Sequence, residues 1–80
     1  MRIGVIAIIV SDVNAVQRVQ QELTAHSSII VGRMGIPDRE NAKNIIALIV
    51  KGEVEQISAL SGALGRISGV KAKSMLAAND

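Results

Sequence analysis

No cysteine, phenylalanine, tyrosine or tryptophan occurs in this chain of 80 residues, and histidine and proline occur once each. Without cysteine there are no disulfides, no thiolate metal site and no thiol redox chemistry. Without aromatic rings the core must be built from Ile, Val, Leu, Ala and Met. A single histidine removes the multi-histidine metal sites and leaves few routes to nucleophilic catalysis. Charge is also scarce: the net charge is +2, too small for a phosphate-steering field. No apolar run approaches the roughly 18 residues that a membrane span needs. Met1 leads directly into a strand pattern, with no basic segment, apolar stretch and small-residue cleavage site of a secretory leader. A cytoplasmic protein that binds neither membrane nor nucleic acid directly is the expectation.

What is present is aliphatic and repeated. Hydrophobic residues make up 49% of the chain. A shift of 41 residues lays Val5 on Ile46, Val16 on Ile57, Val19 on Leu60, Leu23 on Leu64 and Met34 on Met75. Each half is an apolar run, an amphipathic stretch and a second apolar run, which is a strand–helix–strand unit used twice. Ile3–Val10 reads as a strand buried on both faces. Ser11 or Asp12 suits an N-cap, and apolar positions 13, 16, 19 and 23 give a helix over Val13–Ala25. Ile29–Ile36 is the second strand. Pro37 is expected to end it, with Asp38–Asn41 as the polar turn. Asn44–Lys51 is the third strand and Glu53–Arg66 the second helix, with Val54, Ile57, Leu60 and Leu64 facing inward. Gly65 or Gly69 ends that helix or turns the chain. Val70–Leu76 is the fourth strand, and Ala77-Ala78-Asn79-Asp80 reads as a frayed tail.

The order βαββαβ with right-handed crossovers gives an α+β, ferredoxin-like sandwich: a four-stranded antiparallel sheet in order 4-1-3-2 with two helices on one face. Strands one and three, apolar on both faces, suit the centre. Strand four, which alternates with Lys71 and Lys73, suits an edge. Helices cover one side of such a sheet, so its other side stays apolar. An open apolar patch on a small domain marks an interface. A chain of this size buries only about 60–65% of its unfolded surface, which makes oligomerisation a natural source of stability. A homo-oligomer through the sheet, dimer or tetramer, is therefore expected, with Lys71 and Lys73 on the open face.

No catalytic residue emerges. His26 ends an amphipathic stretch, where the helix dipole favours it, and no second histidine accompanies it. No cofactor and no metal site are implied. Neither Gly32-Arg33-Met34-Gly35 nor Gly62-Ala63-Leu64-Gly65 forms a phosphate-binding loop. RNA-recognition domains of this topology stack bases on sheet aromatics, which are missing here. Copper-carrying versions need a Cys pair. Acylphosphatase-like versions need an Arg-bearing first loop, whereas this one is Ser11-Asp12-Val13-Asn14.

Three stretches together carry a family resemblance. They are Ile3-Gly4-Val5-Ile6-Ala7-Ile8-Ile9-Val10, then Ile30-Val31-Gly32-Arg33-Met34-Gly35-Ile36-Pro37, and the segment from Ile57 to Lys71 that contains Leu60-Ser61-Gly62-Ala63-Leu64-Gly65-Arg66. The chain resembles the iron-only hydrogenase system regulators. The resemblance implies that residues 1–80 are a single ACT-like ferredoxin-fold domain, similar to the C-terminal regulatory domain of the nickel-responsive repressor. The nickel ligands of that repressor are missing here, and no DNA-binding arm precedes the first strand. The implied role is a regulatory, non-enzymatic module that senses a small ligand or oligomerises. The alternative is a structural interaction protein that recruits a partner through its sheet without a ligand. ACT-like domains place ligands where the first strand meets the first helix, against the second strand of a neighbour. By that resemblance the candidate ligand-binding residues are Ser11, Asp12, Asn14, Gly32, Arg33 and Gly35. Their chemistry suits a small anionic or amino-acid-like ligand: Arg33 offers a donor fork to a carboxylate, and Asp12 can meet an amine. In the plainer reading, Asp12 only caps the helix and Arg33 is only solvated.

Overall fold

Strand pairing alone settles the topology. In the computed structural model, which describes residues 1–77, Arg2–Val10 form strand β1, Ile30–Asp38 β2, Lys43–Gly52 β3 and Val70–Leu76 β4. All pairings are antiparallel, in the order β2-β3-β1-β4. Helices α1 (Val16–Ala25) and α2 (Val54–Gly65) fill the two crossovers. This is the ferredoxin-like βαββαβ sandwich expected, with the doubly apolar strands β1 and β3 at the centre.

Alternation along the central strands then selects the core. Ile6, Ile8 and Val10 of β1 and Ile46, Leu48 and Val50 of β3 are buried. They meet Val19 and Leu23 of α1 and Ile57, Leu60 and Leu64 of α2 in one continuous cluster. Full burial of such a side chain stabilises the fold by about 1.5–3 kcal/mol. Their odd-numbered neighbours point the other way. Ile3, Ile9, Ile45 and Ile49 are exposed, as are Met34 and Ile36 of β2 and Met75 of β4. Lys71 and Lys73, opposite Ile9 and Ala7, share this second face.

The internal repeat holds for the helices and for β2 against β4, where exposed Met34 corresponds to exposed Met75, but slips by one residue between β1 and β3. Buried Val19 and Leu23 correspond to buried Leu60 and Leu64, 41 positions on, whereas buried Ile6 and Ile8 correspond to Leu48 and Val50, 42 positions on. The cause is the longer first connection. The 3-10 turn Val13–Ala15 precedes α1, while Glu53 alone separates β3 from α2. Asp12 caps this turn: its Oδ1 accepts from Asn14 N–H at 2.9 Å, and its carbonyl accepts from Ala15 N–H at 2.9 Å. Val13 is thereby turned outward, 78% exposed, and Ala15 takes the inward position. The expected inward Val13 is thus corrected, as is Val54, which stands exposed at the start of α2. Conversely, Ile67 is buried beyond the end of α2, and Ile29 is buried in the 3-10 turn Ser27–Ile29 rather than opening β2.

Pro37 does not end β2. The strand runs through it to Asp38, with Pro37 opposite Asn44. An edge strand bonds on one side only, so a missing N–H is tolerated there. The turn that follows is held by Asp38, whose Oδ2 accepts from Asn41 Nδ2 at 2.8 Å. That bond holds the Asp38 carboxyl below the usual aspartate range, with Lys43 adding a smaller effect in the same direction. Ala42 adopts a left-handed backbone, φ 54°. At the far end, Ala77 N–H donates to the Ile3 carbonyl at 2.8 Å. The remainder of the expected tail, 78–80, lies outside the described residues.

The β2–β3 hairpin can be tested at two positions. A left-handed alanine costs about 1 kcal/mol, so Ala42→Gly should stabilise the fold by about 0.5–1 kcal/mol, less the extra freedom of the unfolded glycine. A urea titration that shows a loss would refute the assignment of strain. For Asp38 the folded pKa lies below the unfolded one. Its contribution is therefore fully present above the unfolded pKa and is lost as pH falls through the folded pKa. Carboxyl-carbon NMR titration should find Asp38 below the ordinary range, and Asn41→Ala should move it back up.

Candidate functional site

A gap in the helix-covered layer opens a groove between α1 and the outer strand β2. In register, Arg33 sits opposite Leu48 and Gly35 opposite Ile46. Leu48 and Ile46 are buried beneath the helices, so Arg33 and Gly35 belong to the covered side. Gly35 has no side chain to offer there, and a Cβ built on it would meet nothing within 4 Å. The result is a groove of about 260 Å3. Val10 and Ile46 of the sheet and Val16 and Val19 of α1 supply its apolar surface; Gln20, Arg33 and Asn44 supply its polar groups. Arg33 Nη2 donates to Gln20 Oε1 at 2.8 Å, a bridge from β2 to α1.

The six sequence-derived candidates divide between places. Arg33 and Gly35 line the groove. Gly32 follows an irregularity in the β2–β3 ladder and pairs with Ile49, which puts it on the open face of the sheet. Ser11, Asp12 and Asn14 lie on the β1–α1 connection, outside the groove lining. Ser11 N–H donates to the Gly69 carbonyl at 2.7 Å. Asp12 is engaged by the 3-10 turn and packs against Gly69, whose φ is +83°. Within one protomer, therefore, the acidic loop and the arginine are not one cluster. Sequence reasoning missed Gln20 and Asn44. Gln20 is one of several polar residues along α1, and only the crossing of α1 over β2 brings it to Arg33.

Other chemistry is sparse. His26 follows α1 and its Nδ1 donates to the Glu22 carbonyl at 3.0 Å, an acceptor that the His26 backbone N–H also reaches at 3.1 Å. Among the described residues, no three of His, Cys, Asp and Glu gather in a way that could hold a metal ion. No described helix is long and apolar enough to cross a membrane.

A family model for TM1266-like proteins, described as "Iron-only hydrogenase system regulator, putative", matches residues 2–74. The chain belongs to this family. Among solved structures, the regulator-family chain is similar to the uncharacterized protein TM1266 from Thermotoga maritima. The two are 37% identical, with a TM-score of 0.92 over 96% of this chain and 98% of that one. A formyltetrahydrofolate deformylase from Pseudomonas putida KT2440 gives a TM-score of 0.63 at 10% identity, over 91% of this chain and 28% of the deformylase. CPII, a nitrogen regulatory PII-like protein from Thiomonas intermedia K12 bound to ADP, AMP and bicarbonate, gives 0.61 at 14% identity, over 99% and 93%. At such identities the last two show the fold alone. No curated protein matches the regulator-family chain.

The contact between Asp12 and Gly69 yields a test of the loop. A Cβ on Gly69 would lie 2.5 Å from Asp12 Cβ, and its positive φ disfavours any other residue. Gly69→Ala should cost about 2 kcal/mol or more, from left-handed strain plus the clash. Urea unfolding with a midpoint unchanged from the parent would show that the loop yields freely.

Proposed function

We propose that this protein serves the iron-only hydrogenase system as a regulatory, non-enzymatic module of the cytoplasm, which self-associates through its sheet and responds to a small ligand. The observation that carries this reading is the uncovered sheet face. Ile3, Ile9, Ile45 and Ile49 run along its central strands, Met34 and Ile36 flank them, and all are exposed in the single chain. A contiguous apolar face of this kind is costly to leave in water and favours association. A second copy laid on it gives a dimer, and further sheet contacts give a tetramer. The groove beside Arg33 is the place for the ligand, which the guanidinium it would meet marks as anionic. Occupancy of a groove that borders the outer strand offers a means of biasing how copies pack.

The lysines support a second reading. Lys71 and Lys73 stand on the same face as the apolar residues, opposite Ile9 and Ala7. They suit a partner protein with an apolar centre and an acidic rim. In that case the protein recruits a partner through its sheet without a ligand, and a stoichiometric complex that dissociates on Lys71→Glu/Lys73→Glu would favour it.

Light scattering tests the first reading. The expected native species is a dimer or larger, and an 8.4 kDa monomer at micromolar concentration would overturn it. Substitutions on the two faces should separate association from folding. Ile45→Glu, on the open face, should give a folded monomer. Ile8→Glu, at 0% exposure, should unfold the chain. An unpaired buried charge costs about 3–5 kcal/mol, comparable to the whole stability of a small domain. Circular dichroism with light scattering reads both outcomes.

A further inference from the structure

We infer that the groove between α1 and β2 is a binding site for a small branched aliphatic monocarboxylate, and that it selects against the matching amino acid. This deepens the ligand arm of the proposed function. It is independent of sheet association, which light scattering tests separately.

The argument starts from a missing side chain. Gly35 stands in a strand interior on the covered side of the sheet, where an apolar side chain would normally complete the layer. Its φ is not among the positive glycine angles, and a Cβ there would meet nothing within 4 Å. Neither backbone conformation nor crowding requires glycine at this position. Close approach by another group is one role of a strand glycine, and the space over Gly35 is open to it. The space left is about 260 Å3. Apolar cavities of about 150 Å3 already hold a benzene molecule, so an acid of about seven non-hydrogen atoms fits.

The lining then sets the chemistry. Val10, Val16, Val19 and Ile46 give an aliphatic surface with no ring to stack on. Arg33 is the one ionised residue among the groove-lining residues, and Gln20 and Asn44 are its neutral polar companions. The Arg33 guanidinium commits one donor to Gln20 and retains others, in a planar fork that matches a carboxylate. A carboxylate at Arg33 with its branched chain over Val16 and Val19 satisfies both halves of the lining. An α-ammonium would find no carboxylate in the lining. Asp12 is held in its own turn, and Asp38, next to Pro37 of the lining, accepts from Asn41. An ammonium here adds a second positive charge close to the exposed Arg33 guanidinium, and like charges at that range repel.

4-Methylpentanoate, 4-methyl-2-oxopentanoate and leucine carry the same branched end and differ only at the α-carbon. NMR of the full chain, read on the methyl resonances of Val16, Val19 and Ile46, should show saturable shifts with the first two acids. Leucine should bind at least about tenfold more weakly, as expected for a like charge set beside Arg33. Arg33→Met, which keeps the aliphatic stem, should weaken the acids by about tenfold or more, and Arg33→Lys should restore part of the loss. Gly35→Val should fill the groove. Its melting temperature without ligand should equal or exceed the parent's, because β-branched residues favour strands, and its response to acids should vanish. Three results would each overturn the inference: leucine binding as tightly as 4-methylpentanoate, acid binding that survives both Arg33→Met and Gly35→Val, or no acid shifting these methyl groups at millimolar concentration. If Gly35→Val is instead destabilised, Arg33→Met still decides the matter, because Arg33 is exposed and its loss should leave the fold intact.

Discussion

The pairing of β1 with β3 is the constraint on which everything else depends. These strands share a ladder from Arg2 opposite Gly52 to Val10 opposite Asn44, and both are apolar at almost every position. One alternate set, Ile6, Ile8, Leu48 and Val50, is sealed beneath the helices. The other set, Ile9, Ala7, Ala47 and Ile49, is equally committed to the pleat but has no cover of its own. Aliphatic pairs on both faces make the central ladder hard to separate. They also leave the molecule with an unsatisfied surface that no rearrangement within one chain can hide, because a two-helix layer spans only one side.

The outer strands express the opposite problem. β4 carries lysines outward and is blunted against further pairing. β2 carries a ladder irregularity near Val31, a proline at position 37 and glycines at 32 and 35. Each of these weakens a strand by itself. Together they leave β2 thinly furnished, and this allows a groove to form where the helix layer would otherwise close over the sheet. The chain therefore keeps its strongest packing at the centre and a hollow beside its weakest strand.

Much of this architecture is legible in the amino-acid sequence. Strand order, helix number and the buried stripe Ile57–Leu60–Leu64 follow from periodicity, because β-branched runs and helical spacing are local signals. The departures share one cause. Val13, Val54 and Pro37 are residues at element ends, where a capping aspartate or an edge position overrides the pattern that their side chains suggest. The repeat register slips by one between β1 and β3 for the same reason, since a single extra residue in the β1–α1 connection leaves helix spacing intact but moves each β1 residue to the face opposite its counterpart in β3. The candidate site is only half legible. Arg33 and Gly35 announce themselves as a cation beside a gap, but the partnership of Arg33 with Gln20 is a tertiary fact. Nothing in the spacing of Ser11, Asp12 and Asn14 tells that Ser11 and Asp12 turn toward Gly69 instead.

The ladder between β1 and β4 also sets the order of events in assembly. Gly4 lies opposite Leu76 and Val10 opposite Val70, so the first strand made is completed only by the last. Before β4 leaves the ribosome, the hairpin of β2 and β3 can form on its own, and β1 can join it at β3. One edge of β1 and the lower surface of α2 nonetheless stay uncovered throughout synthesis. Such distant pairing slows folding and prolongs exposure of apolar strand. A nascent chain of this protein is thus most vulnerable to unwanted pairing in the interval before β4 emerges, and the outward lysines of β4 arrive together with the strand that closes that interval.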